Sequence, residues 1–525
     1  MMTINKLYKT IGYFALACLA LVTISCSDEF FEAEVGERIT SDEHYDDFVD
    51  AKLSFYGTLI SLQDVAANAV VVDGLRSDQM VLNDNATTDL KEIESLSMRA
   101  SNSLLDKSGY YKTIINCNEV LSEIQVAADR DREFLDGEVY DMKSTLYGLR
   151  AWCYLTVARN YGEVNYFADN LSELPDDTDG NILSKEAIID TLINQFIADS
   201  VIFDASQNGD NRKENVYVNF PSYKAVLGEL YLEKGDYDNA IYYLRLGLEI
   251  TPTDKLDFSE FSASSSIYDL TSYSDESWEN IFKSSEYIYN ENIAVIPYNQ
   301  SEDQPNPVVQ YFMPEDVFMI RPAQHLVDSM ELAFQSNLRD TGDIYRGIGA
   351  TYDTIVAGDY YISKYSQSIG GEYSTDIILQ RAGGLHLLLA EALNRGGRTD
   401  DAMMFLNSGL KSERSSDRPS DFSKFSKNLG VRGRVSLAPR VFPSDSVMAA
   451  DGIDKVELVE DWILQEQAME CAFEGHRMSD IIRVAQRRDN PGEFIGELIS
   501  RKYTDPGDIQ AVKTYYSVEE NWYLP

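Results

Sequence analysis

"SYKAVLGELYLEKGDYDNAIYYLRLGLEITP", residues 222–252, reads as two helices folded against each other. Apolar residues recur every three to four positions on both sides of "KGDY", which supplies the turn. Gly228 and Ala240 carry almost no side chain, so the helix axes can approach closely there. Tyr231 is placed to fill the remaining gap, and Gly247 adds a third small position. Pro252 cannot continue a helix and ends the second one.

Leu227, Gly228, Tyr231, Ala240 and Pro252 fall on the tetratricopeptide template. "HLLLAEALNRGGRTDDAMMFLNSGL" (386–410) is a second copy, with Ala390 and Ala402 at the positions of Gly228 and Ala240. Two repeats are too few for a stable stack, so degenerate copies are expected. "KSGYYKTIINCNEVLSEIQ" and "STLYGLRAWCYLTVARNYG" are amphipathic helices, the latter ending at Gly162. "SKEAIIDTLINQFIADSVIFDA" opens at a Ser184 N-cap and packs through Ile188, Ile189, Leu192 and Phe196. A fourth pair starts with "DKVELVEDWILQEQAMECAFEG". The expected fold is therefore mostly α, about four tetratricopeptide-like hairpins with a long irregular insert carrying small β elements. Boundaries are expected at 1–25 (signal peptide), 26–252, 253–375 (the aromatic-rich insert) and 376–525. Residues 412–450, rich in Ser, Pro and Arg, read as a loop.

The amino end reads as an export signal. Lys6 and Lys9 precede the apolar run "IGYFALACLALVTIS", too short to span as a mature helix. Small Ser25 before Cys26 makes a lipobox-like site with Thr23 at the −3 position. Either Cys26 carries a lipid or the signal is a plain secretory one. "SDEFFE" follows immediately.

Formal charge is −42 over 525 residues. A surface so negative repels nucleic acid and anionic lipid, and makes polyanionic glycans poor ligands unless a local basic pocket overrides the average. Once Cys18 and Cys26 are set aside, Cys117, Cys153 and Cys471 remain, in apolar helical contexts that suit small core residues.

Catalytic motifs are absent: no H-E-x-x-H, P-loop, G-x-S-x-G or paired-cysteine metal site. "CAFEGHRMSDIIR" (471–483) assembles a thiol, a carboxylate, an imidazole and two guanidiniums. Helical spacing explains it without a reaction, turning Trp462, Met469, Ala472 and Phe473 to the core. Glu466, Glu470 and Glu474 form a ladder of like charges that needs cations, and Arg477 and Arg483 are at hand. "DDTDGNILSKE" has Asp177, Asp179, Gly180 and Glu186 on calcium-loop spacing, but Pro175 stands at the first ligand position. That loop is read as a turn before the Ser184 helix, with a calcium site as the alternative; otherwise no cofactor is expected, and the chain reads as a non-enzyme.

Seven segments, in order, resemble the SusD/RagB lipoproteins, which partner a TonB-dependent transporter in Bacteroidetes nutrient uptake. They are "YYKTIINCNEVL", "LRAWCYLTVARNYGEVNYF", "SKEAIIDTLINQFIADS", the repeat at 222–252, "ENIF", "DIILQRAGGLHLLLAEALNR" and "EQAMECAFEGHRMSDIIR". The match loosens after Asn490. The resemblance implies a lipoprotein anchored through Cys26 in the outer membrane, facing outward. It implies capture of a glycan, or in a smaller branch a peptide, and delivery to a SusC-like TonB-dependent transporter. A pure adaptor built on the repeats would lack such long aromatic inserts. Sugar faces stack on aromatic rings, so the candidates in the insert are Trp278, Tyr287, Tyr289, Tyr298 and Tyr311, with Phe312 beside them. Trp278 precedes "ENIF" and is equally suited to burial. A second wall is expected at "DGLRSDQMVLNDN" (73–85), where Arg76, Asp78, Asn83 and Asn85 offer planar polar groups.

Overall fold

The structure, a computed structural model, describes residues 45–168, 181–205, 220–249, 270, 272, 278–282, 291–366 and 373–525. Cys26 and the signal segment, Tyr287 and Tyr289, and Asp177, Asp179 and Gly180 lie outside the described residues.

Helices α1 (Phe48–Gly57) and α2 (Ile60–Arg76) lead into β1 (Met80–Leu82) and α3 (Thr88–Glu94). Next come α4 (Ser108–Arg130), α5 (Asp136–Tyr161), β2 (Glu163–Asn165), β3 (Ile182–Ser184), α6 (Lys185–Ala198) and α7 (Ser200–Ala205). The repeat at 222–252 forms α8 (Tyr223–Lys234) and α9 (Tyr237–Leu248). The insert contributes β4 (Asn292–Ile296), α10 (Val308–Phe312), β5 (Ile320–Pro322), α11 (Gln324–Glu331), β6 (Phe334–Gln335), β7 (Asp340–Thr341), β8 (Tyr352–Val356) and β9 (Asp359–Ile362). After β10 (Ile377–Arg381) come α12 (Ala382–Arg395), α13 (Thr399–Leu406), α14 (Val431–Arg434), α15 (Asp445–Asp451), α16 (Lys455–Glu470), α17 (Arg477–Ala485), α18 (Pro491–Ser500) and α19 (Pro506–Tyr516). The chain is mostly α, and its strands form small antiparallel two-stranded ribbons.

The hairpin at 222–252 is built as its residues dictate. Gly235 closes α8 in the left-handed region, φ 79°. A Cβ on Gly228 would lie 2.7 Å from Leu244, and one on Gly247 3.1 Å from Ala225, so both glycines mark true helix contacts. Tyr231 is buried and stacks on Tyr243 at 5.5 Å between ring centroids. The helices continue in a packed row, α4 on α5, α5 on α8, α9 on α12 and α12 on α16, while α17 returns to α2. The stretch Phe48–Arg76 is apolar and long enough to cross a membrane by composition, yet 56% of its most apolar window is buried in this fold.

Ser184 caps α6 by accepting from the Ala187 N–H, and Ile188, Ile189, Leu192 and Phe196 are all buried. Gly162 ends α5 at φ 76°. Cys117, Cys153 and Cys471 are buried free thiols. Past Asn490, α18 and α19 pack together and Trp522 closes a second apolar cluster with Tyr516 and Ile499. The 412–450 segment is not a plain loop. It holds α14 and α15, and turns Arg432 and Arg434 into the interior.

That inward turn accounts for the glutamate ladder. Glu466, Glu470 and Glu474 are met by Arg346, Lys364, Arg381, Arg432 and Arg434. Asp343 and Glu291 complete five carboxylates against five cations, none more than 6% exposed. The expectation that Arg477 and Arg483 serve the ladder is overturned. Arg477 grips Asp78 with both arms at 2.8 and 2.9 Å, and Arg483 forks onto Glu391 at 2.9 Å twice. Burial alone would raise the Glu391 carboxyl, but the charges of Arg483 and Arg487 outweigh it and bring it down to about 2. A carboxyl held below its unfolded value near 4.5 adds stability that is complete above that pH and lost as pH falls towards 2. Urea midpoints should therefore fall between pH 5 and pH 3, and Glu391→Gln should flatten that fall. Parallel pH profiles for the two proteins would refute the assignment.

Candidate functional site

The β1–β5 ribbon carries a surface built from three loops. Its register sets Leu82 opposite Ile320, so the turn after β1 meets the loop before β5. Asn83 donates through its side-chain amide to the Phe318 carbonyl at 2.8 Å, and its backbone N–H donates to the Met319 carbonyl at 2.8 Å. Asn85 donates to the Val317 carbonyl at 2.5 Å. From the other side the Tyr373 hydroxyl donates to Asp316, and the backbone N–H groups of Phe318 and Met319 return to the Gln310 and Tyr311 carbonyls. Loop 313–319 is thus clamped from both sides, by the Asn83 and Asn85 amides on one and by Tyr373 and the 310–311 carbonyls on the other.

Phe318 sits at the centre of this clamp with φ 48°, in the left-handed region that a bulky side chain enters only when its surroundings impose it. Its ring is half-buried, beside exposed Val317 and Asp316. Tyr361 of β9 is half-buried nearby. Burial first, then the carboxylates of Asp353 and Glu315, push its hydroxyl up. An ion pair of 2.5 Å from Arg321 to Asp359 holds β9 against β5. Phe318, Asn83 and Asn85 thus meet in one clamp, and Tyr361 lies within electrostatic reach of Glu315 on the same loop.

The structure brings Asn83, Asn85 and Tyr311 to this surface, Tyr311 half-buried with its carbonyl in the clamp. Arg76, Asp78, Trp278 and Tyr298 are placed elsewhere, and their expected ligand role is corrected. Arg76 ends the apolar helix α2, is 1% exposed, and donates to the Trp522 carbonyl at 2.6 Å. Asp78 is buried against Arg477, whose charge overcomes burial and holds the carboxyl well below the usual range. Trp278 lies within the fold, 5.3 and 5.4 Å from the guanidiniums of Arg381 and Arg434. Tyr298 is buried and donates to the Gln63 carbonyl at 3.1 Å. Phe318 and Tyr361 were missed by sequence reading. The only local signal was an aromatic residue in the acidic, turn-forming "MPEDVF".

Cys471, Glu474 and His476 bring three ligand atoms within 4.8 Å of one another. The donor set does not suit a cation. Lys364 and Arg381 already occupy both Glu474 oxygens, burial pushes the Cys471 thiol up, and a dication would sit beside two positive charges. His386, in the second repeat copy, is buried, bridges the Ala382 carbonyl and Asn428, and is brought down by burial to about 4.

Residues 331–525 match the SusD family model. A SusD-like protein of Formosa agariphila is 23% identical over 94% of each chain. A SusD superfamily structure from Bacteroides vulgatus superposes with a TM-score of 0.64 at 15% identity, covering 91% of this chain and 95% of that one. A laminarin-binding SusD-like protein superposes at 0.54 and 15% identity, over 88% and 95%. A SusD-like carbohydrate-binding protein from Bacteroides vulgatus does so at 0.58 and 15%, over 83% of each. The family model covers the carboxyl-terminal scaffold, and the two longer comparisons run through the repeats and the insert, so residues 331–525 are similar to the SusD family and the chain as a whole shares the fold of the SusD superfamily structures.

Proposed function

We propose that this protein captures an oligo- or polysaccharide at the cell surface and delivers it to a partner TonB-dependent transporter of the outer membrane, to which Cys26 anchors it by lipid. The observation that carries this reading is the clamped loop around Phe318. Strained backbone is held there by Asn83 and Asn85 so that an aromatic face and planar amides share one surface. Such a surface suits the C–H faces and hydroxyl pairs of a neutral sugar. The described relatives that bind laminarin or other carbohydrate support it. Binding, without chemistry, is all this arrangement needs to do.

The test is calorimetry of the purified lipoprotein in detergent against neutral polysaccharides, laminarin among them, and mixed oligopeptides. Saturable heat with one glycan is expected. Phe318→Ala should weaken it about 3- to 10-fold, the loss of one aromatic stack of about 0.5–1.5 kcal/mol, and Tyr361→Ala should act in the same direction. Heat with peptides alone would move the protein to the peptide-binding branch.

A further inference from the structure

On the far side of Asp78 from the Phe318 loop, a cleft of about 510 Å³ opens between α11, the 438–440 segment and the face of α16. That volume is in the range of small-ligand sites. Four arginines line it, Arg432, Arg440, Arg477 and Arg501, with His325 beside them and Asp78 as the one lining carboxylate. In a chain of charge −42 a cationic hollow is contrary to the average, so each positive group needs an account.

Two of the arginines have one. Arg477 is neutralised by Asp78, and Arg432 by Glu466 at 2.5 Å. The other two do not. Arg440 donates to a neutral acceptor, Gln465 Oε1 at 3.1 Å, and its Nε has no partner among the described residues. Its backbone is fixed on both sides by Asn407, at 2.8 and 3.0 Å, so the side chain leaves from a rigid base. Burial and the neighbouring charge of Arg432 outweigh the attraction of Glu466 and make its own charge costly there. Arg501 is exposed and makes no ion pair among the described residues. His325 faces Asp78 through Nε2 at 3.6 Å, and its Nδ1 has no hydrogen-bond partner among the described residues. Beside these donors lies apolar surface, with Phe334 and Leu332 exposed at the rim.

Unpaired guanidinium forks call for a planar or tetrahedral oxoanion, which they hold through two parallel hydrogen bonds. The adjoining exposed ring calls for a carrier with apolar faces. We infer that this cleft binds the carboxylate or sulfate group of an acidic saccharide, with Arg440 and Arg501 gripping the oxoanion and Phe334 lying against the sugar. The sugar half rests on the glycan reading above, and the oxoanion half does not.

The experiment titrates the full-length lipoprotein in detergent at constant ionic strength. The probes are trigalacturonate, a sulfated carrageenan tetrasaccharide, inorganic sulfate and a neutral galactotriose. At least one acidic saccharide should bind saturably, compete with inorganic sulfate, and weaken at least tenfold in Arg440→Gln. Arg501→Gln, an exposed change that cannot disturb the core, should weaken it in the same direction. Neutral-glycan binding at the Phe318 loop should be unchanged in both variants. Silence from every anionic probe, or unchanged affinity in both variants, overturns the proposal. Sulfate binding lost in Arg440→Gln without any saccharide binding refutes the acidic-sugar carrier and leaves the oxoanion site. Acidic-saccharide binding together with silence from all neutral glycans would refute the Phe318 reading and not this one.

Discussion

Glu470→Ala should lower stability by about 3–5 kcal/mol, the cost of breaking a buried ion pair by removing one partner. Glu470 is fully buried, and its two oxygens accept from three guanidiniums, those of Arg346, Arg381 and Arg434. Burial would raise its carboxyl, but the charges of Arg434, Arg381 and Arg346 reverse the effect, so it is ionised in the fold. Without it three cations remain in a dry interior with too few acceptors. Glu470→Gln preserves volume and one acceptor oxygen, so it should lose less while still leaving a charge uncompensated. Urea unfolding of both variants gives the comparison. A loss below about 1 kcal/mol in the alanine variant would mean that the cluster is hydrated and that this account of the scaffold is wrong.

Trp278→Ala is the second large effect expected, about 3–5 kcal/mol for an aromatic removed from the core. The indole is 1% exposed, packs with Ile281, Phe282, Val435 and Leu437, and lies beside the guanidiniums of Arg381 and Arg434. A ligand platform would behave in the opposite way, losing binding while the melting temperature stayed in place. The measurement that separates the two is a melting curve beside a glycan titration performed well below the transition. Lowered melting with affinity retained in the folded fraction is expected. Lost affinity at unchanged melting would restore Trp278 to the ligand site.

What could be read from the sequence divides by distance along the chain. The α8–α9 hairpin was legible because Gly228, Ala240, Gly247 and Tyr231 settle its packing within thirty residues. The Ser184 cap and the Gly162 terminator were legible for the same reason. The partners of the glutamate ladder were not. Arg477 and Arg483 were natural choices by proximity, whereas Arg346 reaches Glu470 across 124 positions. Nothing local marks Arg432 and Arg434 as core residues inside a Ser-, Pro- and Arg-rich run. Arg76 was misjudged in spite of a local warning, since "AVVVDGL" directly before it is a buried helical stretch. At the candidate site Asn83 and Asn85 stood out as polar turn residues. Phe318 did not, because its importance lies in a backbone angle that composition does not report.

The five-by-five ion cluster also sets an order in time. Synthesis proceeds from the amino end at roughly 5–20 residues per second, so about 6–25 s separate Arg346 from Glu470. During that interval Arg346 has Asp343 but neither Glu466 nor Glu470, and Lys364 lacks Glu474, so the segment around β8 to β10 is short of most of the carboxylates that let its cations be buried. Maturation of this protein is therefore not a procession of finished pieces. The amino-terminal hairpins can assemble as they emerge, but the region that holds the insert in place must wait for α16. A nascent chain halted before Glu466 should thus remain protease-sensitive between residues 320 and 381.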